Sequence, residues 1–135
     1  MKRLLAVDDN RSVLETLVEA LTIKGYEVLT ADNADGALNL LRSQAFDLVL
    51  LDYQMPGKSG FDLYRELGAI QEVPVLFVSG FSRSFSPETP GFADLWTGQF
   101  SDGRTDILYK PFTLAALFEK VEALIGDGVT ADGTR

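Results

Sequence analysis

Hydrophobic residues in this chain fall into short continuous runs separated by longer stretches in which apolar positions recur at helical spacing. The runs have the length of β-strands, and they cover 4–7, 26–30, 48–51, 73–78 and 106–109. The stretches between most of them place leucine, valine and alanine on one face of a helix, as Leu14, Leu17 and Leu21 show. Strands that alternate with helices predict a parallel sheet with right-handed crossovers and helices on both faces.

The central run, Leu48–Leu51, is apolar throughout, which is typical of a strand covered on both faces. It ends in Asp52, and Pro56 and Gly57 prevent the strand from continuing. Asp52 is therefore predicted at the carboxyl edge of the sheet, where open α/β sheets bind their ligands. By itself, an aspartate at this place is also what a turn or a helix cap requires.

Polar residues predict where the helices begin and end. Ser12 and Glu15 have the spacing of a capping box for the first helix, and Gly25 should end that helix. Asn33 is the expected cap of the second helix and Thr113 that of the last. The inner face of the last helix should carry Leu114, Leu117, Phe118, Val121, Leu124 and Ile125.

Length and composition indicate one domain, expected over 1–126, followed by a flexible tail or linker over 127–135 that is rich in Gly, Asp and Thr. The net charge of −8 argues against nucleic acid or an anionic membrane as a direct partner. No apolar run approaches the roughly 18 residues of a membrane span, and the amino terminus leads directly into a strand, so we expect a cytoplasmic protein.

The chain contains no Cys and no His. Disulfides, thiolate metal sites, imidazole bases and phosphohistidine are thereby excluded. Acid, base or metal chemistry must then rest on carboxylates, lysine, tyrosine or hydroxyl groups.

Five polar residues follow directly on predicted strands: Asp8 and Asp9 after the first, Asp52 after the third, Ser79 after the fourth and Lys110 after the fifth. Parallel strands bring these ends to one crevice, where three carboxylates would repel one another unless a cation lies among them. Oxygen ligands favour Mg²⁺ over Mn²⁺ or Ca²⁺. A carboxylate nucleophile beside a metal, a lysine and a hydroxyl suits phosphoryl transfer, whereas each residue alone could be a turn residue, a cap or a solvated charge.

In these motifs the chain resembles a response regulator receiver domain from about residue 2 to residue 125. The motifs are the acidic pair Asp8-Asp9, the segment 50–57 around Asp52 with Gly60 following, Ser79-Gly80, and Lys110-Pro111-Phe112. The resemblance implies a flavodoxin-like (βα)5 three-layer sandwich with five parallel strands in the order 2-1-3-4-5.

The resemblance also implies a function, in which Asp52 accepts a phosphoryl group from a phosphohistidine on a histidine kinase or a histidine phosphotransfer protein. Such a chain catalyses its own phosphorylation and dephosphorylation as a signalling switch rather than as a turnover enzyme. Self-association that depends on phosphorylation is compatible with this family.

Site roles follow from the resemblance position by position. Asp9 and Asp52 would bind Mg²⁺ through their carboxylates, Gln54 through its backbone carbonyl, and Asp8 mainly through water. Lys110 would pair with the phosphoryl group and Ser79 would donate a hydrogen bond to one of its oxygens.

The chain departs from the family pattern between Ser79 and Lys110, where it is several residues longer than usual. Pro87, Pro90 and Gly91 disfavour the fourth helix expected there, so this helix should be short or irregular. The family's aromatic switch position is occupied by Ile107, while Tyr109, next to Lys110, should point to the other face of its strand.

Two other classes of protein could use a similar fold or a similar aspartate nucleophile. A pseudo-receiver would keep the fold as a protein-binding module without phosphorylation, but the complete set of Asp8, Asp9, Asp52, Ser79 and Lys110 argues against it. A phosphatase of the haloacid dehalogenase type needs a second aspartate two residues after its nucleophile, and Gln54 stands at that place.

Overall fold

The apolar runs form the strands of one parallel sheet. The computed structural model describes residues 1–52, 60–80 and 105–126, and for residues 60, 61, 79 and 80 it describes the backbone alone. The strands are β1 (Arg3–Val7), β2 (Glu27–Ala31), β3 (Leu48–Leu51), β4 (Val75–Gly80) and β5 (Thr105–Lys110). The helices of the described residues are α1 (Arg11–Ile23), α2 (Ala34–Ser43), α3 (Gly60–Ile70) and α4 (Leu114–Ile125).

The sheet has the predicted order β2-β1-β3-β4-β5, and every neighbouring pair is parallel. β3 lies in the middle, where all four of its residues are buried. This central position accounts for its continuous apolar sequence, because both faces are covered by helices. The flavodoxin-like order is therefore confirmed.

Two hydrophobic clusters lie on opposite faces of the sheet, since alternate strand residues point to opposite sides. One cluster joins the sheet to α2 and α3, with Leu38, Leu41, Leu63 and Leu67 as its helical members. The other joins the sheet to α1 and α4, with Leu14, Leu17, Leu117 and Val121 from the helices. The chain thus has the predicted three layers.

Helix caps agree with the sequence at two of three places. Asn33 accepts a hydrogen bond from the Gly36 N–H, and Thr113 accepts one from the Ala116 N–H, so both predicted caps are confirmed. The prediction of Ser12 as the first cap is wrong. Asn10 takes that role, because its extended backbone lets Oδ1 accept from the N–H groups of Ser12 and Val13, at 2.9 and 3.3 Å.

Other boundaries differ slightly from the sequence prediction. Gly25, with φ of 96°, follows the end of α1 as expected. Ser79 and Gly80 still belong to β4 rather than following it, since they pair with Tyr109 and Lys110 of β5. Leu114 was expected on the inner face of α4 but is 49% exposed, because it is the first residue of the helix and lies ahead of the turn that packs on the sheet.

Two predictions lie outside the described residues. One is the short or irregular fourth helix between β4 and β5, and the other is the flexible tail over 127–135. No helix in the described part of the chain has the length and apolar character needed to cross a membrane.

Candidate functional site

Asp8 lies at the carboxyl end of β1 and is 2% exposed. Its backbone N–H donates to the Ala31 carbonyl at the end of β2. Its side chain is held at both oxygens: Oδ1 accepts from the Asn10 N–H at 2.8 Å, and Oδ2 accepts from Lys110 Nζ at 2.8 Å. Asp8 is thus a buried carboxylate with a fixed orientation.

Asp52 lies next to Asp8 because β3 is hydrogen-bonded to β1. Its backbone N–H donates to the Val7 carbonyl at 2.9 Å, which continues the ladder beyond the last residue of β3. The residue is 5% exposed. One carboxylate oxygen, Oδ2, lies 3.8 Å from Lys110 Nζ.

Asp9 completes a group of three carboxylates. One oxygen from each of Asp8, Asp9 and Asp52 lies within 4.8 Å of the others, and Asp9 is the exposed member of the group. Three carboxylates and the ammonium group of Lys110 leave two net negative charges at this edge. The sequence prediction that strand ends converge on one crevice is confirmed for these four residues.

Lys110 reaches this group from the last residue of β5, across the sheet from β1. Its ammonium group contacts two buried carboxylates, at 2.8 Å for Asp8 and 3.8 Å for Asp52. Lys110 Nζ is therefore within hydrogen-bonding distance of Asp8, whereas its distance from Asp52 Oδ2 allows only an ion pair.

Ser79 and Gln54 were also predicted as site residues. The backbone of Ser79 lies in β4 opposite Tyr109, one position before the partner of Lys110, which places it at the same sheet edge. Its side chain is outside what the structure describes. Gln54 lies outside the described residues altogether, so its predicted role stays a prediction.

Asn10 is a residue that sequence reasoning missed as part of this site. Its N–H fixes Asp8, while its own side chain caps α1, so the loop after β1 is tied to both the carboxylate and the helix. The signal was present in the sequence, because an aspartate that accepts from the N–H two residues later forms a common turn. The capping-box spacing of Ser12 and Glu15 is a second, competing cap signal in the same segment.

Tyr109 packs beside Ile107 against the cluster under α2 and α3, whereas Lys110 turns to the carboxylates. The prediction that Tyr109 points to the other face of its strand from Lys110 is confirmed. Burial raises the pKa of the Tyr109 phenol above its ordinary value of 10.0.

Comparison with known proteins agrees with this fold and this site. The family model described as response regulator receiver domain matches residues 4–122. The chain belongs to the response regulator receiver domain family.

Individual relatives give the extent of the similarity. The chain is 35% identical over 121 residues to the uncharacterized transcriptional regulatory protein YrkP of Bacillus subtilis, covering 90% of this chain and 48% of that protein. It is 33% identical over 132 residues to the response regulator MprA of Mycolicibacterium vanbaalenii, covering 97% and 53%. The chain thus spans about half the length of these curated relatives.

Solved structures share the fold. The chemotaxis protein CheY4 of Vibrio cholerae superposes with a TM-score of 0.76 at 27% identity, covering 92% of this chain and 98% of that one. The response regulator TrrA of Thermotoga maritima, solved in complex with Mg²⁺ and BeF, gives 0.72 at 32% identity, covering 92% and 99%.

Proposed function

We propose that this chain is the phosphoacceptor of a cytoplasmic two-component phosphorelay and that Asp52 takes the phosphoryl group. The observation that carries the proposal is the position of Lys110, whose ammonium group lies 2.8 Å from Asp8 and 3.8 Å from Asp52 within a group of three carboxylates. A cation next to a buried carboxylate can stabilise a dianion that forms there.

The carboxylates fit a divalent cation. Oxygen ligands of one Mg²⁺ lie about 2.1 Å from the metal, and one oxygen from each of the three carboxylates lies within 4.8 Å of the others. Asp9 and Asp52 would hold it directly, Asp8 through water, and Gln54 through its backbone carbonyl. Bound Mg²⁺ would neutralise negative charge on the carboxylates and on the incoming phosphoryl group.

The residues of the chain then have distinct tasks. An Asp52 carboxylate oxygen attacks phosphorus while the bond from phosphorus to the donor nitrogen of a phosphohistidine breaks, so the phosphoryl group passes from one protein to the other. Lys110 moves from Asp8 toward the new phosphoryl oxygens and pairs with them. Ser79 donates a hydrogen bond to one of those oxygens.

A switch follows from the same residues. Lys110 and Ser79 contact the phosphoryl group only in the phosphorylated state. These contacts would shift the equilibrium between two conformations of the surface formed by residues 79–110. The chain contains no His and cannot supply the phosphohistidine itself, so we expect the donor to be a histidine kinase or a histidine phosphotransfer protein.

The test is the intact mass of the protein after incubation with acetyl phosphate and Mg²⁺. We expect one added phosphoryl group, lost in Asp52→Asn because the amide removes the nucleophilic oxygen pair. Asp35→Asn is the matched control, because Asp35 is an exposed aspartate in the first turn of α2 and should leave the addition unchanged.

Two results would contradict the proposal. Equal labelling of Asp52→Asn and the native chain would assign the phosphoryl group elsewhere. A native chain that gains no phosphoryl group from acetyl phosphate or from a phosphorylated histidine donor would instead support the pseudo-receiver.

A further inference from the structure

A groove of about 800 Å³ runs along the outer edge of the sheet, between α1 and α2. Its apolar floor is formed by Leu14 and Val18 of α1, Ala31 of β2 and Leu40 of α2. Leu14 and Ala31 are buried, while Val18 and Leu40 are half-buried. The groove adjoins the carboxylate site, since the Ala31 carbonyl accepts from the Asp8 N–H, but none of the three site carboxylates lines it.

The groove lies beside the carboxyl end of β2, where Thr30 lines it, and Val28 lies two residues earlier on the same strand. In the parallel pair with β1, the Glu27 N–H donates to the Lys2 carbonyl and the Ala31 carbonyl accepts from the Asp8 N–H. Alternate residues of a strand bond to one side, so Glu27, Leu29 and Ala31 face β1, while Val28 and Thr30 direct their N–H and C=O groups outward. β2 is the last strand of the described sheet on this side.

The rim of the groove is acidic. Glu15 and Glu19 of α1 line it and are exposed, and neither has a cationic partner within 4 Å among the residues the structure describes. The cation on the rim is Arg11, which lies 3.8 Å from Asp32 and is balanced by it. Among the described residues, the surplus charge beside this edge of β2 is therefore negative.

We propose that this groove binds an extended segment of a partner protein that pairs with β2 as an additional strand. The outward groups of Val28 and Thr30 would supply the backbone hydrogen bonds. An apolar side chain of the segment would fill the floor, and flanking lysine or arginine side chains would reach Glu15 and Glu19. A second copy of this chain fits less well, since two facing grooves would bring four glutamates together.

The binding experiment begins with selection from an unbiased library of soluble peptides on the 135-residue chain. Enriched peptides are then titrated in labelled form by fluorescence anisotropy. We expect the enriched peptides to alternate basic and apolar residues, and we expect the double variant Glu15→Gln, Glu19→Gln to bind them about 3- to 10-fold more weakly, because two rim ion pairs are lost.

Glu119→Gln is the matched control, because Glu119 is an exposed glutamate on α4, a helix that does not line this groove. It should bind the peptides as the native chain does. Enriched peptides that are not basic, or that bind equally well to the double variant, overturn the proposal.

Backbone pairing is tested separately. Thr30→Pro removes an outward N–H without removing a bond to β1, whereas Thr30→Ala keeps that N–H. We expect Thr30→Pro to abolish peptide binding and Thr30→Ala to retain it, with circular dichroism confirming that both fold. If the proline variant does not fold, peptides with N-methyl groups on alternate residues give the same comparison on the native chain.

Equal binding of the methylated and unmethylated peptides would overturn strand pairing. Sedimentation of the peptide-free protein tests the other occupant. If the protein dimerises, and if the double variant Glu15→Gln, Glu19→Gln dimerises more strongly, then a second copy of the chain occupies the groove and the proposal of a different partner is overturned.

Discussion

Asp8 and Asp9 are adjacent carboxylates with opposite surroundings. Asp8 is buried, and both of its oxygens accept hydrogen bonds from within the chain, from the Asn10 N–H and from Lys110. Asp9 is exposed and has no hydrogen-bond or ion-pair partner among the described residues. We therefore expect Asp9 to bind the metal directly and Asp8, whose two oxygens are already engaged within the chain, to act through water.

This difference predicts unequal losses of Mg²⁺ affinity. Asp8→Ala should weaken binding on the order of 10-fold, as removal of an indirect ligand does, and Asp9→Ala should weaken it further. Isothermal titration with MgCl₂ measures both constants. Asp35→Ala, an exposed aspartate on α2, should bind Mg²⁺ like the native chain. Equal losses in the two site variants would refute the order.

Gln71 is a half-buried residue at the opposite, amino-terminal edge of the sheet. Its Oε1 accepts from the Phe46 N–H at 2.6 Å, and its Nε2 donates to the carbonyls of Leu41 and Gln44, each at 3.0 Å. The Gln71 side chain, just after α3, thus supplies hydrogen bonds to the backbone at the end of α2 and at the start of the segment that leads into β3. These partly buried backbone groups depend on the Gln71 side-chain amide for their hydrogen bonds.

Gln71→Ala should therefore lower the free energy of unfolding by about 1–3 kcal/mol, the range for leaving partly buried backbone groups unsatisfied. Urea denaturation measures this value. Glu72→Ala changes the adjacent exposed residue and should shift the free energy by less than about 0.5 kcal/mol. A Gln71→Ala variant as stable as Glu72→Ala would show that water replaces the amide without cost.

At the scale of elements, the last helix is tied to the beginning of β2 by Tyr26. This buried tyrosine donates from its hydroxyl to the Gly126 carbonyl at 2.7 Å, immediately after α4 ends. Nearby, Lys24 Nζ lies 4.9 Å from the ring centroid of Phe118 on α4. The junction between α1 and β2 thus holds α4 at two places.

Tyr26→Phe should cost about 1 kcal/mol of unfolding free energy and should increase amide hydrogen exchange in the last turn of α4, because the phenyl ring keeps the packing but loses the hydrogen bond. Exchange in β5 serves as the internal reference. Unchanged exchange over 122–126 would show that helix packing alone fixes this end.

Helix ends illustrate what local sequence can decide. Asn33 and Thr113 were predicted correctly because a cap depends on backbone groups within three residues of it. The cap of α1 was predicted wrongly because two cap signals, Asn10 and Ser12, lie two residues apart. Asn10 is the cap in the structure, where its N–H donates to the Asp8 carboxylate.

At the scale of the whole molecule, Gly126 is tied to the fold by two hydrogen bonds, since its N–H donates to the Glu122 carbonyl and its own carbonyl accepts from the Tyr26 hydroxyl. We propose that residues 1–126 form the domain. A chain ending after 126 should match the full chain in its urea midpoint, whereas one ending after 122 should be less stable because it loses both bonds. A drop in the midpoint for the 126-residue chain would assign stabilising contacts to 127–135.

The sequence alone determined the order of strands and helices, the buried central strand and the carboxylates at its edge. These depend on periodicity and on residues next to one another in the chain, and the parallel topology converts them into one site. The tertiary structure decided which groups meet across long separations. Lys110 Nζ lies 2.8 Å from Asp8, which is 102 positions earlier in the chain, and 3.8 Å from Asp52.

The same holds for Gln71, whose bonds reach back 25 to 30 positions, and for the groove beside β2, which requires α1 and α2 to lie at a particular spacing. Periodicity records whether a residue faces the core or the solvent. It does not record which distant group comes within 3 Å, because that distance is set by how whole helices pack on the sheet.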